Sequence, residues 1–144
     1  MSDSEGLTPA IDRAKFEEII STLLASRPSP RQIISCFADD AEWRLHGEPA
    51  NWSYAGLRRG RESVLAFLKA FAVEFQQLGL RRLATVIDND QACIQYDLRV
   101  RHRGTHREDT IPCLCFIRLE GALIAEVNEF VDSARLFALR ESRY

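Results

Sequence analysis

The chain has 144 residues, of which 46% are hydrophobic and 28% are charged, with 19 Lys and Arg against 21 Asp and Glu. This length and composition are typical of one globular domain spanning 1–144, with 1–7 expected to be a disordered tail. The net charge of −2 excludes the broad basic field of a nucleic-acid-binding protein, and no apolar run is long enough to span a bilayer. We therefore expect a cytoplasmic protein that binds neither nucleic acid nor membrane.

Helical periodicity begins near the start of the chain. Thr8-Pro9 is typical of a helix start, and apolar residues then recur at helical spacing as far as Leu24. Pro28-Ser29-Pro30 ends that pattern and begins a short second helix, which is expected to end at Asp39-Asp40.

A strand, a loop and a long helix are predicted next. Apolar and polar residues alternate over Ala41–His46, which predicts a strand. Residues 47–60 contain Gly, Pro, Asn and Ser and read as an irregular loop. An amphipathic helix then follows Gly60 and is expected to close at Gly79.

The second half of the chain has the period of a sheet. From Leu80 the apolar period becomes two, which predicts an antiparallel meander with strands at about 81–88, 91–103, 107–119 and 122–132. Because the helices precede the meander, the sequence predicts an α+β fold with helices on one face of the sheet.

One predicted strand is apolar on both faces, which bears on oligomeric state. In Thr110–Leu119 both alternating sets of side chains are largely apolar, whereas a strand with one solvated face should alternate. The pattern predicts helices on one side and a second copy on the other, in a homodimer that uses the outer sheet face. The alternative is that Ala134–Leu139 folds over that outer face.

The cysteines favour a reducing compartment. Cys36, Cys93, Cys113 and Cys115 each lie among apolar residues, and no C-x-x-C pair is present. We expect free thiols rather than disulfides or a metal site.

Three motifs resemble a known superfamily. Phe37–Trp43 is similar to the "F-x-D-D-A/V-x-W" start of the first strand in the nuclear-transport-factor-type cone fold. Tyr54–Val64 resembles the approach to that family's third helix, and Glu120–Asp132 resembles its closing strand. The branch it resembles is that of the SnoaL-like polyketide cyclases and ketosteroid-isomerase-like proteins. The resemblance implies a curved antiparallel sheet, wrapped by about three N-terminal helices into a cone with a mostly apolar internal pocket.

The resemblance does not settle the reaction, because such proteins include enzymes and non-catalytic binding domains. The positions that match the acids of ketosteroid isomerases are Leu45 and Cys115, which excludes that chemistry. The positions that match an epoxide-hydrolase arrangement are Gln95, Asp97 and Glu129, so two carboxyl groups are present and the arginine is not. Arg99, two residues beyond Asp97, is a possible substitute for it.

The two carboxyl groups each have two interpretations. Asp97 either enters the pocket or belongs to an outward charge ladder, since its neighbours Tyr96 and Leu98 belong to the apolar set of the strand. Glu129 shares a face with Val127 and Val131, where burial would raise its pKa; the alternative is an exposed strand residue.

Two histidines complete the catalytic candidates. His46 ends the first predicted strand and is either a base at the pocket mouth or a surface residue. His102 falls in the apolar set of its strand and either lines the cone or is a satisfied core residue. The candidate pocket-lining residues are Trp43, Leu45, Trp52, Tyr54, Phe71, Tyr96 and Val127.

A basic hairpin spans 99–107 and contains four arginines. It is interpreted either as a landing site for an anionic group or as a solvated hairpin tip. The resulting hypothesis is a SnoaL-like protein that binds a small apolar organic molecule without a cofactor or metal. Its activity would be that of a cyclase, an isomerase or a hydratase/dehydratase, with Asp97, Glu129, His46 or His102 as acid or base. The alternative is a non-catalytic ligand-binding or dimerisation domain of the same fold.

Overall fold

The computed structural model describes residues 12–50 and 52–141. The predicted tail 1–7 and the predicted helix start at Thr8-Pro9 both lie outside these residues. In chain order the elements are α1 (Arg13–Leu23), α2 (Pro30–Ile34), β1 (Phe37–Leu45), β2 (Gly56–Arg59), α3 (Arg61–Glu74), β3 (Phe75–Asp88), β4 (Gln91–His102), β5 (Glu108–Glu120), β6 (Leu123–Val131) and α4 (Ser133–Arg140). No helix in the described ranges is long and apolar enough to cross a membrane.

The strands form one curved sheet, in the order β2-β1-β6-β5-β4-β3. The predicted α+β fold and the predicted meander of β3 to β6 are confirmed. The resemblance implied an antiparallel sheet, and this expectation is wrong at one pairing, because β1 lies parallel to β6. This pairing brings the start of the chain beside its last strand and extends the meander into a six-stranded sheet.

Two predicted helix ends are wrong, and strand pairing explains both. The second helix ends at Ile34, and Phe37 already begins β1. The long helix ends at Glu74 rather than at Gly79, and β3 begins at the next residue. Phe75 pairs with His102 of β4, so cross-strand hydrogen bonds replace the helical ones there.

Two short elements were missed. Within the predicted loop, β2 pairs antiparallel with the end of β1. The C-terminal segment forms α4, which is capped by Asp132; the Asp132 carboxylate accepts a hydrogen bond from the backbone N–H of Arg135. Leu136 of α4 lines the internal cavity, so this helix packs on the inner side. The alternative in which Ala134–Leu139 covers the outer face is therefore wrong.

The Glu74 cluster, made of Tyr54, Glu74, His102 and Arg140, holds α4 in place. The Glu74 carboxylate accepts hydrogen bonds from Arg140 Nε at 2.5 Å and Nη2 at 2.8 Å. It also accepts the Tyr54 hydroxyl at 2.8 Å and His102 Nε2 at 2.8 Å. Arg140 is the main reason that the pKa of Glu74 falls from 4.5 to about 2, and the cluster joins α3, β4 and α4 through one ionised carboxylate.

Replacing Glu74 by Gln should lower the free energy of unfolding by about 2 kcal/mol at neutral pH, between the values typical of exposed and buried ion pairs. The pKa of Glu74 is depressed in the fold, so its contribution is present above pH 4.5 and is lost as the pH falls toward about 2. Urea unfolding of both proteins between pH 7 and pH 2 measures this.

The matched control is Asp39→Asn, which breaks the ion pair between Asp39 and Arg61. The Asp39 carboxylate is almost fully exposed. The effect of this substitution should stay below about 0.5 kcal/mol. A difference between wild type and Glu74→Gln that does not change with pH would show that Glu74 is not ionised in the fold.

Candidate functional site

A cavity of about 370 Å³ lies between the inner face of the sheet and the helices. Its wall is mostly apolar and aromatic, with contributions from Leu23, Trp43, Leu45, Phe67, Phe71 and Tyr96. A mostly apolar pocket with a few polar groups is typical of sites for small organic molecules.

Glu129 is the carboxylate in this wall. It lies on β6, opposite Leu45 of β1 and Cys115 of β5 in the register of the sheet. Because side chains alternate along a strand, Val127, Glu129 and Val131 all point to the inner face. Glu129 is therefore enclosed by the sheet, and the surface it exposes faces the cavity.

Two hydrogen bonds fix the Glu129 carboxylate. Tyr96 of β4 donates its hydroxyl to Oε2 at 2.6 Å, and Trp43 of β1 donates Nε1–H to Oε1 at 3.3 Å. The Trp43 ring is itself held between Phe37, at 5.8 Å between centroids, and Phe67, at 5.5 Å. The donors come from strands on either side of β6, so the sheet register sets the carboxylate's position.

Burial and hydrogen bonding act on Glu129 in opposite directions. Desolvation raises the pKa of Glu129 above its usual value, and the bonds from Tyr96 and Trp43 only partly offset that effect. Burial, followed by the nearby Glu129 charge, raises the pKa of Tyr96 well above its usual value, so that its hydroxyl keeps its proton. The site thus pairs a carboxylate that can exchange a proton with a fixed hydrogen-bond donor.

Asp97 lies on the opposite face of the sheet from Glu129. Tyr96 and Leu98 are buried on the inner side, and Asp97 forms an ion pair with Arg81 of β3 at 3.9 Å. Arg99, on the same outer face, pairs with Glu108 at 3.1 Å. The structure therefore shows the charge ladder at these positions and does not bring Asp97 and Glu129 together.

Neither histidine reaches the cavity. His46 lies on the outer face, where it hydrogen-bonds Asn128 at 3.0 Å and stacks on Phe130 at 4.0 Å between centroids. His102 uses both ring nitrogens within the fold. Nε2 donates to Glu74, and Nδ1 accepts the backbone N–H groups of residues 104 and 105. These bonds define the His102 tautomer and leave no ring nitrogen for a ligand.

Four of the candidate pocket residues line the cavity, namely Trp43, Leu45, Phe71 and Tyr96. Trp52 and Tyr54 lie outside it, because both rings pack under the guanidinium of Arg140, at 4.6 Å and 5.5 Å. Val127 faces inward but is buried against the core, and Val131 lines the cavity instead.

Sequence reasoning missed Arg27, Gln76 and Gln77, which also line the cavity. Arg27 lies before two prolines in a segment with no helix or strand periodicity, and the two glutamines fall within the predicted helix. No sequence pattern therefore indicated that these three residues line a cavity. Arg103 was noticed only as part of the basic hairpin, and it too lines the cavity. Of the other hairpin arginines, Arg107 donates to the backbone carbonyl of Glu141 at 3.0 Å and so holds the end of α4.

The cysteines do not provide a nucleophile in the cavity. All four are free, with Cys113 and Cys115 buried on the inner face beside Glu129. Burial, with the Glu129 charge second, raises the pKa of both thiols above the usual value, so they stay protonated. Within 12–50 and 52–141, no group of three His, Cys, Asp or Glu side chains could hold a metal ion.

Solved structures with the same fold are numerous. A proposed isomerase from Rhodopseudomonas palustris is 17% identical, with 93% of this chain and 100% of that chain covered and a TM-score of 0.73. A proposed SnoaL-like polyketide cyclase from Jannaschia sp. CCS1 is 12% identical, with 97% and 99% covered and a TM-score of 0.75. An NTF2-like protein of unknown function from Burkholderia pseudomallei K96243 is 15% identical, with 87% and 96% covered and a TM-score of 0.75. At these identities the likeness shows the fold alone.

No curated protein matches the sequence. The profile of the SnoaL-like domain, in contrast, matches residues 20–127, which include the helices α2 and α3, most of the sheet and the strand positions of Trp43 and Tyr96. The cone fold and the sequence match agree, and the chain belongs to the SnoaL-like domain family.

Proposed function

We propose that the protein binds a small, largely apolar organic molecule in the internal cavity and transfers a proton on it with Glu129, without a cofactor. The observation that supports this is one carboxyl group, fixed by Trp43 and Tyr96, in the wall of a mostly apolar cavity. Such an arrangement suits reactions that move a proton at carbon or oxygen, which include cyclisation, isomerisation, hydration and dehydration.

The apolar wall would make the Glu129 carboxylate a stronger base than it is in water. A carboxylate in a dry site loses the water that stabilises its charge, and desolvation raises the pKa of Glu129 for this reason. The two hydrogen bonds hold Oε1 and Oε2 in place, so a bound substrate would meet an oriented base. Once protonated, the same group would return the proton at another position of the substrate.

The second candidate is a non-catalytic ligand-binding domain. The cavity wall supports it, because most lining side chains are apolar and could bind a ligand without reacting with it. A cytoplasmic location is also part of the proposal, supported by the four free thiols. The two candidates differ in one respect that can be measured, namely whether Glu129 removes a proton from a bound molecule.

The elimination of 5-nitrobenzisoxazole tests the base directly, without knowledge of the natural substrate. The Glu129 carboxylate would take the proton from the ring carbon, the C–H electron pair would complete a nitrile, and the N–O bond would break with its electron pair remaining on the phenolate oxygen. Because the reaction needs the ionised carboxylate, kcat/KM should rise with pH through the raised pKa of Glu129. The coloured phenolate gives the rate.

Glu129→Gln should lower kcat/KM about 100-fold, the usual contribution of a general base. Tyr96→Phe removes a donor that stabilises the carboxylate and should move the midpoint of the pH profile upward. Glu126→Gln is the matched control on the same strand, since Glu126 lies on the outer face in an ion pair with Arg118. Unchanged turnover in Glu129→Gln, with the fold intact by circular dichroism, would favour the non-catalytic candidate.

We further propose that a second copy of the chain covers the outer face of the sheet, to give a homodimer. The outer patch, made of Val86, Cys93, Leu114, Phe116 and Phe130, leaves Val86 66%, Phe116 47% and Phe130 40% exposed. The ion pairs Arg81–Asp97 and Arg118–Glu126 flank this patch. Both signs of charge beside one apolar patch allow two copies related by a two-fold axis to face each other without like-charge repulsion.

Light scattering at micromolar concentration should give twice the chain mass of 16.4 kDa for the wild type. Phe116→Glu places a charge in the patch and should give the mass of one chain. Val73→Glu is the matched control, because Val73 is 76% exposed but lies on α3, and it should leave the mass unchanged. A wild type with the mass of one chain would contradict the dimer.

A further inference from the structure

The cavity has charged groups of opposite sign at different depths. Among the described residues that line it, the charged ones are Glu129, Arg27 and Arg103. Glu129 is enclosed by strands β1, β5 and β6, whereas both arginines are exposed to solvent. The arginines therefore belong to the mouth of the cavity, together with Gln76, which is also exposed.

Neither mouth arginine is neutralised by another side chain in the described part of the chain. Arg27 has no hydrogen bond or ion pair to any described residue, and Arg103 uses only Nε, which donates to the carbonyl of Ala72 at 2.9 Å. The backbone N–H of Arg103 also donates to the carbonyl of Glu74 at 2.9 Å. These two bonds orient Arg103 and leave its terminal nitrogens for a ligand.

Five other arginines of the protein are neutralised by carboxylates. Arg81, Arg82, Arg99, Arg118 and Arg140 each lie within 4 Å of a carboxylate. The segment that carries Arg27 is itself anchored, because Gln77 Nε2 donates to the carbonyls of Ala25 at 2.7 Å and Ser26 at 3.1 Å. Two arginines without a carboxylate partner, one on an anchored segment and one held by backbone bonds, thus flank an apolar cavity.

We propose that the natural ligand is an amphiphile with an apolar body and one anionic end group, a carboxylate or a group of the same charge. The body fills the cavity, and the anionic group lies at the mouth, where Arg27 and Arg103 supply positive charge. Glu129 favours this orientation, since its negative charge repels an anion from the inner part of the cavity. This proposal names the ligand class of the cavity proposed above as the binding site, and it rests on that assignment.

The orientation has a chemical consequence for the reaction. With its anionic end at the mouth, the ligand presents its distant, apolar end to Glu129 and Tyr96. Proton transfer would then occur at carbon atoms remote from the anionic group, such as those of a double bond or a ring. The arginines would set affinity and orientation, and Glu129 would set the rate.

Three probes of equal chain length test the charge preference, namely decanoate, decanol and decyltrimethylammonium. Binding is followed by tryptophan fluorescence, since Trp43 lines the cavity and Trp52 does not, and by calorimetry. Decanoate should bind about tenfold more tightly than decanol, as expected for two solvent-exposed ion pairs, and salt should reduce this preference. Decyltrimethylammonium should bind most weakly.

The variant Arg27→Gln/Arg103→Gln should bind decanoate no more tightly than decanol, with little change for the alcohol. Arg31→Gln is the matched control, because Arg31 is an exposed arginine on α2 that does not line the cavity. Equal binding of acid and alcohol by the wild type, tightest binding of the cation, or no binding of any probe would overturn the proposal.

The elimination of uncharged 5-nitrobenzisoxazole separates this proposal from the role of Glu129. The Arg31→Gln control should retain both the elimination rate and the preference for decanoate, whereas Arg27→Gln/Arg103→Gln should lose that preference. If the wild type shows the elimination without a preference for decanoate, the anion proposal alone fails. A preference for decanoate without any Glu129-dependent elimination contradicts the catalytic role alone.

Discussion

The parallel pairing of β1 with β6 is the constraint on which the candidate site depends. It places Leu45 opposite Glu129 and Trp43 opposite Val127, at two ends of the chain separated by more than half of its length. Without this pairing, the carboxylate would lie at the edge of a four-stranded meander, where water would reach it. With it, Glu129 has a strand on each side and a donor from β1 as well as from β4. The fold thus creates a dry environment for one carboxylate and supplies the hydrogen bonds that make its burial tolerable.

Two carboxylates on the inner side of the molecule show opposite solutions to burial. Glu74 accepts hydrogen bonds from the guanidinium of Arg140, and its pKa falls to about 2. Glu74 is therefore ionised at neutral pH and serves to hold the surrounding elements together. Glu129 meets only the neutral donors Tyr96 and Trp43, and desolvation raises its pKa. A neutral donor stabilises a carboxylate less than a cation does, so Glu129 keeps the capacity to exchange a proton. Among the residues that the structure describes, no cation lies beside Glu129, and this difference separates the candidate catalyst from the structural group.

Sequence alone predicted the features that follow from local alternation. The period of two identified β4, β5 and β6 to within a few residues and grouped Tyr96 with the inner set and Asp97 with the polar set. It also grouped Glu129 with Val127 and Val131.

The features that the sequence could not predict depend on pairing between distant segments of the chain. The parallel contact of β1 with β6, the strand start at Phe75 and the position of α4 are set by tertiary contacts that no local pattern encodes. Trp52 and Tyr54 show the same limit, because an apolar residue in a loop indicates burial but not which surface buries it.

The direct junction of α3 and β3 constrains how this cavity can vary among relatives. The helix ends at Glu74 and the strand begins at Phe75, with no loop between them. The strand pairing is irregular between Gln77 and Gly79, and this irregularity lets the consecutive residues Gln77 and Leu78 both line the cavity. One inserted residue at this junction would move every following side chain of β3 to the other face of the sheet. On the β3 side, the opening can therefore be reshaped by substitution at Gln76 to Leu78 but not by a change of length, whereas the 24–29 segment across from it belongs to no helix or strand and has no strand register to keep. Diversity of chain length in this part of the family should accordingly accumulate on one side of the opening only.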